Sequence, residues 1–418
     1  MNKPALEEKG NTVDLFEKCR GLFSDPAVAQ RMGYPTNAQS LKGMGLYPYF
    51  IPLDQTEGTE VTVSGKRLIM LGSNNYLGLT THPAVREAAR EAIAEFGTSC
   101  TGSRFLNGTL ALHGELESRL ASFLGKETAL VFSTGYQTNL GTLSALLGRD
   151  DVVICDKEDH ASIVDGCRLA LGRMRRFEHN DPEDLDRVLA ACPATAGRLV
   201  VVDGVFSMGG DVAPLPELIP ICREHGARLL VDDAHGIGVI GGGRGTAAHF
   251  DVTDDVDLIV GTFSKSFASI GGFVAGDEAT LHWIQHLARS LIFSASLPAP
   301  NVAAALAALD VMEREPERAE RVNEIADRMR ERYRDLGLDV GASRTPIVPV
   351  FIGDSLKAMR VWRALFDAGI YVNVAIPPAV PTGKALLRTS YMATHTDEQM
   401  DRVLDAFAAV GRAQGLIA

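Results

Sequence analysis

The chain has 418 residues, 46% of them hydrophobic, and a formal charge of −12 from 41 basic and 53 acidic side chains. That balance argues against nucleic acid as a partner, while the apolar fraction supplies a large core. Six cysteines are scattered with no CxxC pair and no metal-ligand spacing, so free thiols in a reducing cytoplasm and no bound metal are expected.

The opening MNKPALEEKGN has no apolar leader core, and no later run approaches the roughly 18 apolar residues of a spanning helix. A cytoplasmic protein, with at most peripheral membrane contact, is the expectation. Residues 1–60 read as an N-terminal segment, with one amphipathic helix in VDLFEKCRGLF (13–23) and an apolar-aromatic stretch, GMGLYPYFIPL (43–53). Over 61–300, short β-branched runs alternate with helical patterns. TALVF (128–132), VVIC (152–155), LVVV (199–202), LLV (229–231) and DLIV (257–260) are the strands. Strands separated by helices of about 10–15 residues predict βαβ units and a mostly parallel sheet, an α/β fold. The segment 302–337 reads as two helices broken near Pro316. After it, IVPVFI, LKAMRVWRALFDAG, IYVNV, ALLRTS and DEQMDRVLDAFAAV outline a smaller α+β domain over 301–418.

Ligands of open parallel sheets bind at the carboxyl ends of the strands, so the residues there carry weight. TALVF runs into Ser133-Thr134-Gly135-Tyr136, a glycine turn opening a helix and a backbone cradle for phosphate. VVIC runs into DKEDHAS with His160, LVVV into Asp203 and Ser207, and LLV into Asp232, Asp233 and His235. DLIV runs into GTFSKSFASIGG, where Lys265 sits among Thr262, Ser264 and Ser266. Hydroxyls suit a phosphate and a desolvated amine suits a carbonyl; one small molecule carrying both is pyridoxal phosphate. Taken alone, the stretch also fits an ordinary loop lysine. GIGVIGGG (236–243) has dinucleotide-like glycine spacing, but no apolar helix follows it, so that fold is not expected.

Five ordered motifs, FSTGYQTN (132–139), DHAS (159–162), DGVFSMGGD (203–211), VDDAHG (231–236) and GTFSKS (261–266), together resemble the α-oxoamine synthases. The resemblance runs from about residue 40 to the C-terminus. It implies the type I aminotransferase fold, pyridoxal 5'-phosphate, and a decarboxylative joining of an amino acid to an acyl-CoA. By that resemblance Lys265 carries the cofactor and then removes the α-proton. Asp232 faces the pyridine nitrogen, unless it merely caps a helix, and Asp233 stays structural. His160 stacks on the ring and contacts substrate, while His235 sits by the phenolic oxygen. Gly135, Tyr136, Thr262 and Ser264 hold the phosphate, and Ser207 is a cofactor contact or a loop cap. Arg388 holds the substrate carboxylate, or else is a salt-bridged surface arginine. A homodimer with shared sites is implied, with Ser294 a cofactor contact crossing to the partner, Asn75 a substrate contact, and Asn75 and SRFLNGT (103–109) lining the dimeric site.

GLYPYF (45–50), GSRFLNGT (102–109) and YVNVAIPPAVPTGKALLRTSYMATHT (371–396) resemble the bacterial branch that joins L-serine to palmitoyl-CoA, opening sphingolipid synthesis. Some members of that branch carry an arginine before the paired prolines, where this chain has Ile376. The apolar stretch 43–53 fits an acyl channel and a buried connector equally. Use of glycine or alanine is the alternative within the family. A non-catalytic partner subunit is a further reading, opposed by the presence of both Lys265 and Asp232.

Overall fold

A computed structural model describes residues 16–417. The N-terminal helix runs over Glu17–Ser24, and residues 13–15 of the expected helix lie outside the described residues. Seven strands form the central sheet, in the order Thr128–Phe132, Gly272–Gly276, Leu258–Thr262, Arg228–Asp232, Arg198–Asp203, Val152–Asp156, Arg173–Phe177. All run parallel except Gly272–Gly276, which is antiparallel to both neighbours.

Alternate residues of each strand point to opposite faces, so the sheet needs two apolar layers. Val131, Ile154, Val200, Val202, Val231 and Ile259 feed one layer; Leu130, Val153, Val201, Leu230 and Val260 feed the other. Each such side chain contributes about 1.5–3 kcal/mol by leaving water, which is why these runs carry no polar residue until the strand ends. There the register matters: Asp203 pairs with Asp232 across neighbouring strands, so two carboxyl groups leave the sheet at one level.

A second core unites residues 41–71 with 322–410. It contains the antiparallel sheet of Ile347–Gly353, Ala385–Ser390 and Asn373–Ala375. A further sheet joins the hairpin strands Glu60–Val63 and Lys66–Met70 to Ile370–Tyr371. The division expected at residue 61 therefore falls inside a strand that packs with the C-terminal half. The division expected at 300 also shifts: Ala299–Arg314 packs on the first core through Val302, Ala305 and Leu309. Glu317–Asp335 packs on the second core through Val322, Ile325 and Met329, so Pro316 marks the crossing. In the apolar stretch 43–53, Leu46 is buried and Tyr47, Tyr49 and Ile51 lie against the second core, while Met44 and Phe50 are exposed.

Candidate active site

The carboxyl ends of the central strands border a cavity of about 310 Å³. At one end the Gly135–Leu146 helix begins, with Thr134 Oγ1 capping the Gln137 amide at 3.1 Å. The amides of Gly135 and Tyr136 lie in the first turn, have no carbonyl before them, and remain donors for an anion. Glycine is required at 135, since a β-carbon there would meet Thr262 at 2.9 Å. Thr262 Oγ1 lies 2.9 Å from Ser264 Oγ and donates to the Gly271 carbonyl at 3.0 Å. Two amides and two hydroxyls thus line the end that suits a phosphate.

Lys265 follows the Leu258–Thr262 strand, is half-buried, and makes no side-chain hydrogen bond or ion pair among the described residues. Burial brings its ammonium down to about 8, against the opposing pull of Asp232 and Asp203. Asp232 ends its strand, 6% exposed, and meets only neutral donors. The Asn139 amide donates to Oδ2 at 2.6 Å and the Ala234 N–H to Oδ1 at 3.1 Å. Asn139 also donates to Ser162 Oγ at 2.8 Å, and Ser162 Oγ lies 2.7 Å from His160 Nδ1. The Ser162 backbone N–H donates to the same Nδ1 at 3.2 Å, so Nδ1 accepts and Nε2 carries the ring proton. Burial, opposed by Asp232 and reinforced by Lys265, lowers the His160 pKa and keeps the ring neutral.

His235 also lines the cavity, and its Nδ1 lies 2.7 Å from the hydroxyl of the buried Tyr76. Arg388, 4% exposed, donates from Nε to the Ser207 carbonyl at 2.6 Å and from Nη1 to Ser390 Oγ at 3.0 Å. Its third contact, Nη2 to the Tyr76 hydroxyl, is 3.5 Å. Among the described residues no carboxylate pairs with it, so a buried guanidinium is left to be matched by an incoming anion.

Nine of the expected residues thus share one cavity wall: Gly135, Tyr136, His160, Ser207, Asp232, His235, Thr262, Ser264 and Lys265. Three do not. Arg388 stands behind the wall, one hydrogen bond from Ser207. The Asn75 amide is taken up by Thr80 Oγ1 at 2.9 Å, and Ser294 Oγ accepts from Gln137 at 3.0 Å. Asp233 is turned away, binding the Thr246 amide and hydroxyl, and burial raises its pKa to about 6. Ile376, in the place of the loop arginine, is buried in the second core. Sequence reasoning missed Asn139, Ser162 and Tyr76. Asn139 carried a signal, standing one helical turn after Gly135 and on the same face; Tyr76 carried none.

A second acid cluster lies behind the 203–211 loop. His179 bridges Asp156 Oδ1 at 3.0 Å and Asp211 Oδ2 at 2.7 Å, and its ring packs edge-on against Phe206 at 4.4 Å. Burial works against the charged ring, yet the two carboxylates raise it to about 10. Asp159 ties two strand ends together, accepting from the amides of Asp156 and Asp203 at 2.9 Å each. Asp203 itself has its pKa driven well up, by burial first and then by the charge of Asp232.

Residues 66–407 match the model of the aminotransferase class I and II family. A serine palmitoyltransferase of Sphingobacterium spiritivorum is 47% identical over 93% of this chain and 98% of its own. A solved serine palmitoyltransferase of Sphingomonas wittichii matches at a TM-score of 0.91 and 41% identity, over 97% of this chain and all of that one. The chain belongs to the α-oxoamine synthases. An 8-amino-7-oxononanoate synthase of Geobacter sulfurreducens is 44% identical over 91% of this chain and 98% of its own. The α-oxoamine synthase fold, that of the type I aminotransferases, accounts for the large sheet and smaller α+β half. Its cofactor is pyridoxal phosphate.

The residues present fit that cofactor on this structure's own terms. The anion cradle has no room for a side chain at 135, Lys265 has a free amine, and Asp232 keeps an acceptor open to a protonated ring nitrogen. Among the described residues, no helix is long and apolar enough to cross a membrane.

Proposed function

We propose that the protein condenses L-serine with a long-chain acyl-CoA such as palmitoyl-CoA, releasing coenzyme A, carbon dioxide and 3-ketodihydrosphingosine. The observation that carries this reading is the combination of an amine, Lys265, and a buried arginine, Arg388, neither of which meets an acid among the described residues. One suits proton removal at an α-carbon, the other a carboxylate. The relatives named for serine palmitoyl transfer support the choice of substrates.

When bound, pyridoxal phosphate supplies a sink for the electrons left at the α-carbon. Asp232 holds a negative charge where that sink needs one, oriented by Asn139. Lys265 Nζ, with its ammonium brought down to about 8, can take the α-proton and return it near neutral pH. His160 presents a neutral Nε2 proton, and Ser207 and Arg388 hold the amino acid from the other side. A neighbouring groove of about 610 Å³ shares His160 and Ser207. Met208, Val164 and Pro378–Pro381 give it an apolar wall for an acyl chain, while Arg176, beside the ion-paired Lys157 and Arg168, gives it a cation for coenzyme A phosphates. The division of labour extends to a second subunit: we take the enzyme to be a homodimer in which Asn75 and Ser294 meet the partner's site.

The second reading, glycine or alanine with a different acyl-CoA, is supported by the Geobacter relative. Steady-state kcat/KM for serine, alanine and glycine, each with palmitoyl-CoA and a short acyl-CoA, separates the two. Serine with palmitoyl-CoA should lead; glycine leading with the short thioester replaces the proposal by the second reading.

A further inference from the structure

We infer that Tyr76 is a positioning residue that holds His235 with its ring proton on Nε2 and ties that ring to Arg388. The phenol is 1% exposed, enclosed by Val205, Val239, Ile240 and Ile347, so its oxygen answers to protein groups. Three reach it: His235 Nδ1 at 2.7 Å, Asn74 Oδ1 at 3.2 Å and Arg388 Nη2 at 3.5 Å. A guanidinium can only donate, so the oxygen accepts from Arg388. The phenol has one proton of its own to give, to His235 or to Asn74.

Length decides between them. A separation of 2.7 Å is the commonest length for an O–H donor and the short end of the range for an N–H donor. The proton therefore goes to His235 Nδ1, which leaves the Asn74 Oδ1 contact at 3.2 Å without a proton. An accepting Nδ1 leaves the ring hydrogen on Nε2. Burial pushes His235 down and Tyr76 up, so both partners are neutral. His160 has the same tautomer for a different reason, the Ser162 amide. Both cavity histidines are then uncharged donors. For His235 that suits a cofactor phenolic oxygen, and here the inference rests on the cofactor reading above. Because Arg388 donates to the same phenol, a carboxylate drawing on Arg388 is felt at His235 through one oxygen.

Long-range 1H–15N spectra of the histidine side chains in the deuterated apoenzyme read the tautomer directly, with His235 assigned through His235→Gln. The wild type should show a protonated Nε2 and a bare Nδ1. Tyr76→Phe, which keeps the ring and removes the hydroxyl, should move both nitrogens towards a mixed population. A wild-type His235 protonated on Nδ1 overturns the inference, as does an unchanged tautomer in Tyr76→Phe. These spectra need no amino acid, so they stand apart from the choice of serine. In the holoenzyme, Tyr76→Phe should raise the KM for the amino acid about tenfold, the loss of a charge-assisted hydrogen bond, with kcat within about threefold. An unchanged KM removes the tie to Arg388.

Discussion

Asp232 and Asp156 end strands of the same parallel sheet, both buried, and the company they keep is different. Asp156 meets a charged imidazole and the amides of Glu158 and Asn180, and His179 in turn reaches Asp211. Asp232 meets an amide side chain and one backbone N–H, while the nearby Lys265 pairs with nothing among the described residues. One cluster has its charges closed on one another; the other leaves an acceptor and a cation open to the cavity. Closed charges fix the 203–211 loop and hence Ser207, and open ones are available to a ligand. A buried charge is tolerated unpaired only where something else completes it.

Breaking the open cluster should have the largest effect. Lys265→Ala should lose the visible absorption of bound cofactor and lower turnover by at least about 10³-fold; near wild-type turnover would remove the central assignment. The depressed amine gives a sharper signature. Recombination of wild-type apoenzyme with pyridoxal phosphate should accelerate as pH rises to about 8, where the neutral amine takes over, and then level off. An ordinary lysine would still be gaining at pH 10.

Breaking the closed cluster should cost stability more than chemistry. His179→Gln should destabilise by about 2–3 kcal/mol at neutral pH, below the usual cost of splitting a buried pair because the ring is 26% exposed. Its pKa is raised in the folded state, to about 10 from 6.5. Its contribution is therefore complete below about pH 6.5 and fades as pH climbs to 10. Denaturant midpoints of wild type and variant should accordingly converge towards pH 10. A gap that stays constant across that window would mean the imidazole is not charged in the fold. The smallest effect belongs to Asp233→Asn, under about 1 kcal/mol with unchanged kcat, because an amide oxygen still accepts from Thr246. A large loss of turnover there would show that the turned-away carboxylate reaches the site after all.

The strands that build the cavity were legible because burial on both faces leaves unbroken apolar runs. Two strands were not. Arg173–Phe177 is an edge strand whose sequence, RMRRF, keeps its charges in water, and Gly272–Gly276 is rich in glycine because it passes close to other backbone. The hairpin strands 55–70 were too short to announce themselves, and their partner lies 300 residues away, with Ile69 paired to Ile370. In the site, residues at strand ends could be found because position alone selects them. Tyr76 could not: its partner His235 is 159 positions along, and nothing in GSNNYLG distinguishes a hydroxyl in use from a buried aromatic.

The single antiparallel strand has a consequence in time. Thr128–Phe132 reaches the rest of its sheet only through Gly272–Gly276, which is made some 140 residues later and slots between it and Leu258–Thr262. A β-carbon on Gly272 would stand 2.5 Å from the Gly135 Cα, so the fit leaves no slack. During synthesis the five parallel strands from 152 to 262 can associate as they emerge, while the first strand waits unpaired. The anion cradle at Gly135 and Thr262 is therefore the last part of the strand-end wall to exist, closed by a strand that contributes almost no side chain to it.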